Sequence, residues 1–263
     1  MSSAIARTVW QFADCTGTVA ATVPVQYGAP AMHTPRHFRA DSPDREGRLI
    51  RENPFGLIIC GDAGSSADAV PGAAPVATHV PMLRRPDPDG RPPADGEPLL
   101  GGVVLGHLAR VNPQAAALRT AGSALAVFLG PDAYVSPTWY DGDRPNVPTW
   151  NYAAVHLSGP IRVVDDRDEA LAIIMASIDA TEAYAGTGWD PTPSLDYVDK
   201  LLAGIVAFEL TVTDVRSTFK LSQNKPVETQ RRVAGRLAAS AHGRDRELAA
   251  LMTDVLRLGD DAA

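Results

Sequence analysis

No stretch of this sequence approaches the ~20 consecutive apolar residues that a membrane-spanning helix needs. The opening residues, MSSAIARTVW, lack a long apolar segment with a cleavage site behind it, so secretion is not expected. Cysteine is nearly absent. The two present, Cys15 and Cys60, lie on unrelated segments without a CxxC partner, and a reduced, cytoplasmic setting is the expectation. Positive charge is also scarce: 24 Lys and Arg against 31 Asp and Glu give a net charge of −7. That balance disfavours non-specific nucleic-acid binding, which neutralises phosphates with basic surface. The arginines that do gather, Arg231, Arg232, Arg236, Arg244 and Arg246, read as a solvated helix face. Catalytic signatures are missing as well. There is no GxSxG, no GxxxxGK[ST] and no HExxH, and Gly61 and Gly64 are not followed by a dinucleotide-binding helix. His33 and His37 have helical spacing, but Pro35 between them spoils the helix a metal pair would need.

What is present is a chain of 263 residues, 45% hydrophobic, enough to bury the core of one ordinary domain. Short strands interleave with a few helices. Asp44 to Glu52 reads as a helix with Leu49 and Ile50 on its apolar side, Phe55 to Cys60 as a strand, Gly61 to Gly72 as a turn or loop, and Pro75 to Leu83 as the return strand. Arg84 to Pro98 is dense in Pro, Asp and Gly and predicts an exposed loop. Leu99 to Leu108 is the next strand. Asn112 and Pro113 suit a helix start, because Asn accepts an orphan N–H and Pro has none to orphan. Ala124 to Leu129 is a strand, and Val147 to Val164 gives one or two more. Asp166 and Glu169 look like a capping box, followed by Leu171, Ile174, Met175 and Ile178 as a buried stripe. Leu195 to Leu202 is a helix, Ile205 to Val215 and Thr218 to Leu221 are strands, and helices over Val227 to Ala241 and Arg244 to Leu258 close the chain. This pattern fits a barrel with helical additions, mainly β with helices (α+β), better than a doubly wound sheet.

The most informative stretch is VPTWNYAAVHLSGPIR, from Val147 to Arg162. Alternation puts Tyr152, Ala154 and His156 on one strand face and Ala153, Val155 and Leu157 on the other. One face is apolar and the other can touch a ligand. GHLARVNPQ, from Gly106 to Gln114, and FKLSQNKP, from Phe219 to Pro226, share this mixed character. His107 ends an apolar strand. It reads either as a strand-end histidine bonded to backbone or as an iron ligand beside a glycine that leaves room for a planar macrocycle.

NPFG at Asn53, GHLARVNPQ, GPDAYVSPTWY at Gly130, VPTWNYAAVH and KLSQN together resemble the PaiB-like family of FMN-binding split barrels, from about Met32 to about Lys225. The resemblance implies a split β-barrel over residues 32–225, an N-terminal extension of residues 1–31 with Met32 as a possible start, and a C-terminal helical segment over 226–263. It implies a homodimer with its cofactor at the subunit interface. For cover, Val155, Leu157 and Ile161 are the expected apolar face.

Members of this family are generally described as FMN-binding negative regulators of transcription. GWDPTPSLDY at Gly188, LLAGIVAFELTV at Leu201, STFKLSQ at Ser217 and the helix around HGRDRELAALMTDVL are more similar to its haem-dependent branch, the piperazate synthases. In that branch haem b sits on the histidine of GHxxRxNP, here His107. There N5-hydroxy-L-ornithine is closed into L-piperazate through an N–N bond. VPTWNYAAVH and KLSQNKP look like the flavin-type members, since the haem branch is expected to carry Phe at position 152 and an acidic residue at position 224. The resemblance therefore implies haem b on His107, with FMN as the alternative. Tyr134, Ser136, Thr149, Trp150, His156, Lys220 and Gln223 are expected beside the cofactor, and Tyr152 and Lys220 are candidates for the base. A small amino-acid substrate is expected, and neither nucleic acid nor membrane.

Overall fold

The computed structural model describes residues 34–40, 42–61, 74–140 and 145–258. The 1–31 extension, Cys15, His33 and residues 62–72 of the first loop lie outside the described residues. The described residues belong to one compact unit, so the C-terminal helices share a body with the strands.

Seven antiparallel strands form the centre: β1 (Phe55–Cys60), β2 (Val76–Arg84), β3 (Val103–Ala109), β4 (Ser123–Val135), β5 (Thr149–Val164), β6 (Ile205–Thr211) and β7 (Asp214–Lys220). Their order is β4-β1-β2-β3-β6-β5-β7, and β4 also pairs with β5, which closes six strands into a barrel and leaves β7 as an added edge. β5 makes the closure possible. Its first part pairs with β4 and β7, and its last four residues, Ile161 to Val164, pair with β6. The switch falls at Gly159, where a side chain would meet the Thr211 carbonyl at 2.0 Å, so only glycine lets β6 come this close at the bend. The strand therefore continues through Gly159 and Pro160 as one element.

The barrel interior is filled by Ile58, Val80, Met82, Phe128, Val155, Leu157, Phe208 and Leu210, all buried. Each large side chain contributes on the order of 1.5–3 kcal/mol by leaving water. Val155 and Leu157 are thus core. The expectation that they need a partner is corrected: alternation separated the faces properly, but the apolar one closes the barrel on itself. Gly106 also faces inward, where a Cβ would lie 2.5 Å from Phe208 Cζ. Its bareness accommodates that ring, so the expectation that this glycine leaves room for a macrocycle is corrected: the space it leaves is filled by Phe208.

Among the described residues six α-helices decorate the barrel. α1 (Pro43–Glu52) has Pro43 in its first turn and Asp44 and Glu46 near its positive end, and buries Leu49 and Ile50. α2 (Gln114–Thr120) starts where Asn112 Oδ1 accepts the Gln114 N–H at 2.9 Å. The buried Gln114 amide then donates to the Ile58 and Val76 carbonyls at 3.0 and 3.1 Å, joining the ends of β1 and β2. α3 (Arg167–Ala185) opens with Asp166 accepting the Glu169 N–H at 2.9 Å and ends at Gly186 in the left-handed region. Glu169 itself pairs with Arg162 instead of returning to complete a capping box. The stripe expected on α3 is displaced: Ile173 and Ser177 are its buried residues, while Leu171, Ile174, Met175 and Ile178 are half-buried. α4 (Leu195–Leu201) follows.

Strand β3 begins four residues later than expected, because Leu99 to Gly102 form a turn, and β4 continues past Leu129 to Val135 through an irregularity in its pairing with β5. The late strands divide at Val212 and Thr213. α5 (Val227–Ala238) and α6 (Gly243–Leu256) insert Val233, Leu237, Leu248 and Met252 into the main core. Among the described residues no helix is long and apolar enough to cross a membrane.

Candidate functional site

At one end of β4, β5 and β7 the outward-facing residues form a polar and aromatic rim. Register places Tyr134 opposite Trp150, Asp132 opposite Tyr152, and Tyr152 opposite Lys220. The Tyr134 and Trp150 rings meet edge to face at 6.3 Å, and Trp150 Nε1 donates to Asp132 Oδ1 at 2.9 Å. Lys220 Nζ donates to Thr149 Oγ1 at 2.6 Å, and partial burial holds its pKa below the usual lysine range. Among the described residues it meets no carboxylate, so this half-buried ammonium is free to take an anion. Lys225 lies 4.5 Å over the Tyr140 ring, whose hydroxyl is pushed up mainly by burial. Thr149, Trp150, Tyr134, Tyr152 and Lys220 are therefore brought together.

Ser136 and Gln223 are near in sequence but occupied. Ser136 Oγ lies 2.8 Å from Thr138 Oγ1 and accepts the Thr138 N–H, which is turn chemistry. Gln223 Oε1 accepts the Leu221 N–H at 2.7 Å while its amide donates to the Phe219 carbonyl, so both ends are spent terminating β7. Sequence reasoning passed over the residue that ties this turn to β5. Asn151 is buried on the inner face, and its Nδ2 donates to Ser222 Oγ at 2.9 Å. The one signal was a polar residue in phase with Ala153, Val155 and Leu157.

His107 lies elsewhere, on the outward face of β3 beside Ala207. In the closed order β3 stands three strands from β4 in either direction, so one protomer does not present His107 to the Lys220 rim. Among the described residues its Nδ1 is buried without a hydrogen-bond partner, and burial lowers its pKa. Such an orphan atom is uncommon in a folded chain and matches what an iron ligand needs. The bonding of a strand-end histidine to backbone is not made at this nitrogen. His156 sits between Val127 and Arg216, half-buried, with its pKa also lowered by burial.

Around the rim the outer sheet face exposes Phe55 (64%), Trp150 (51%), Leu129 (50%) and Tyr134 (48%), with His79 stacked on Phe55 at 5.8 Å.

A six-strand antiparallel barrel closed by one strand shared between two sheets defines a split β-barrel. The chain belongs to the family described as "Putative FMN-binding domain", whose model matches residues 32–214. It is similar to the protease synthase and sporulation protein PAI 2 of Bacillus subtilis, at 29% identity over 86% of this chain and 99% of that protein. An uncharacterized protein of Emericella nidulans is 29% identical over 67% of this chain and 78% of its own length. A solved structure of similar course, an FAD and heme binding protein of Mycobacterium smegmatis, covers 73% of this chain and 78% of that one with a TM-score of 0.46 at 15% identity.

Proposed function

We propose that this member of the family is a haem-dependent cyclase that joins two nitrogens, converting N5-hydroxy-L-ornithine to L-piperazate. The observation that carries the reading is His107, whose buried Nδ1 has no hydrogen-bond partner among the described residues. The sequence resemblance to the haem-dependent branch supplies the reaction. The residues fit haem in the chemistry of the donor: His107, with a nitrogen that has no other partner among the described residues, would hold the iron.

Because His107 and the Lys220 rim lie on different sides of one barrel, a shared site requires a homodimer, in which His107 of one protomer faces Tyr152 and Lys220 of another. The exposed ring of Phe55, Leu129, Tyr134 and Trp150 is the surface that would be buried. Bound haem iron would supply Lewis-acid polarisation of the substrate's N–O bond. The chain supplies the rest. Lys220, with its lowered pKa, and Tyr152 opposite it are our candidates for taking the proton from the substrate's α-ammonium. The α-nitrogen then bonds to N5 as the N5–O bond breaks, and the hydroxyl leaves as water with one hydrogen from the α-nitrogen. No external oxidant or reductant is consumed. Folding the flexible substrate so that both nitrogens meet is the main contribution of the pocket walls.

Lys220 favours a second reading. A half-buried ammonium with a hydroxyl neighbour and aromatic rings beside it also suits the phosphate and isoalloxazine of FMN, as in a PaiB-like regulator. The C-terminal arginines give that reading little help. Arg244 is held by Asp132 and the Gly130 carbonyl, Arg231 by Glu228, and Arg246 by the Ser240 carbonyl.

The test is spectral and chemical. Purified protein titrated with haemin should show a sharp Soret band that shifts in His107→Ala, and the loaded wild type should convert N5-hydroxy-L-ornithine to a product lighter by one water. Paired yellow flavin bands, saturation by FMN and no turnover would replace the enzyme with the regulator.

A further inference from the structure

We propose a second ligand site, away from the Lys220 rim and two residues along the outward face of β3 from His107, that takes a small amine with an apolar body. A cavity of about 1000 Å³ lies between α3, the 84–95 loop and the end of α1, with Leu83, Leu105 and Glu209 in its floor. That is the upper end of the size range of small-molecule sites, about 300–1,000 Å³. His107 and Lys220 do not line it.

The walls are fixed. The loop is anchored on α1, where Arg51 donates twice to Asp95 at 3.0 and 2.8 Å, and Gly47 lets the Asp95 carbonyl sit where a Cβ would be. Arg84 holds the loop from inside through the Ala94 and Glu97 carbonyls at 2.9 and 3.1 Å. In the floor Glu209 is buried between Arg85 and Arg162, and Arg162 continues to Glu169 on α3. The opposite wall is α3. Twelve of its nineteen residues are Ala, Leu, Ile, Met or Tyr, yet two residues are buried. A helix apolar on most sides expects cover on most sides.

The chemistry of the ligand follows from what the walls leave unpaired. Five carboxylates line the cavity against three guanidinium groups. All three guanidinium groups are engaged, by Asp95, by loop carbonyls and by Glu209. The wall hydroxyls are turned away: Ser177 Oγ donates to the Ile173 carbonyl at 2.9 Å and Thr181 Oγ1 to the Ser177 carbonyl at 2.7 Å. Asp179 stands apart, with no hydrogen-bond or ion-pair partner among the described residues. Tyr184, 65% exposed, lines the same wall, and an aromatic ring is a group that attracts a cation. An anion would have to compete with these partners for each guanidinium of the wall. An ammonium carried on an aromatic or aliphatic body finds Asp179, Tyr184 and an apolar floor.

Phenethylamine, phenethyl alcohol and phenylacetate share one body and differ in charge. Titrated into the full chain and followed by ligand-detected NMR, the amine should bind saturably, the alcohol more weakly and the acid least. Asp179→Asn should weaken the amine about threefold to fivefold, the scale of an exposed ion pair, and leave the alcohol unchanged. Ala180→Trp, at an exposed wall position, should abolish binding of all three with an unchanged melting temperature, and Ala176→Leu is the gentler version. His107→Ala should leave amine binding intact, which separates this site from the cofactor. Phenylacetate binding as well as the amine, no saturation by the amine at millimolar concentration, or full binding in both wall variants would overturn the proposal.

Discussion

Asn151 on β5 and Ser222, two residues past the end of β7, are joined by an Nδ2 to Oγ hydrogen bond of 2.9 Å inside the core. This bond connects two of the most recognisable sequence stretches, VPTWNYAAVH and KLSQN. Ser222 takes a positive φ of 68°, which a non-glycine residue adopts at a cost. The turn that begins with Lys220 is therefore held by contacts beneath it.

Replacing Ser222 tests that arrangement. Ser222→Ala leaves the buried Asn151 Nδ2 with the Met252 sulfur at 3.8 Å in place of its oxygen acceptor and keeps the unfavourable backbone, and it should cost about 1–3 kcal/mol. Ser222→Gly loses the same bond but relieves the backbone, so it should cost less. Urea unfolding midpoints for the two variants give the order; a glycine variant less stable than the alanine would argue against it.

Gly106 is expected to reject any side chain. With Phe208 Cζ 2.5 Å and Met82 Cγ 3.1 Å from the added Cβ, Gly106→Ala should destabilise by about 1–3 kcal/mol. Gly106→Ala with Phe208→Leu should recover part of the loss, which a double-mutant cycle would measure.

Stability should fall on mild acidification. Burial depresses the folded-state pKa of His107 and His156, while the unfolded chain titrates near about 6.5. Below that value the unfolded state binds protons that the folded state does not, so the folded state loses ground as pH drops. His107→Phe should flatten the decline of the urea midpoint between neutral and weakly acidic pH. An unchanged slope would show that the imidazole takes up its proton freely in the fold.

The C-terminal helices should prove inseparable from the barrel. Met252 and Leu248 are fully buried in the main core, so Met252→Ala should cost about 2–5 kcal/mol. A chain ending at residue 226 should fail to give a cooperative melt.

Much of this arrangement is written locally in the sequence. β1 was legible to the residue because an apolar run lies between Pro54 and Gly61, and the alternation of β5 separated its two faces correctly. What could not be read was the destination of a face. Val155 and Leu157 look the same whether a barrel or a partner buries them. Gly106 is bare in either direction until Phe208, a hundred residues later, is known to lie beneath it. The α3 stripe was misplaced because the helix is apolar almost all round, which leaves periodicity little to resolve. The Asp166 cap was correct and its Glu169 return was not, since Arg162 competes for that carboxylate.

The bend at Gly159 has an engineering consequence. Lys220 and Tyr152 are registered on one half of β5, and Arg162, which grips Glu209, stands on the other. Both are indexed to a single ruler of sixteen residues. Inserting one residue before Tyr152 would leave the Arg162 end in step, whereas inserting one between Ser158 and Ile161 would turn one half relative to the other and exchange inside for outside across a whole sheet. Variation in this scaffold is therefore steered toward the loops, and the spacing between Tyr152 and Arg162 is the dimension that cannot drift.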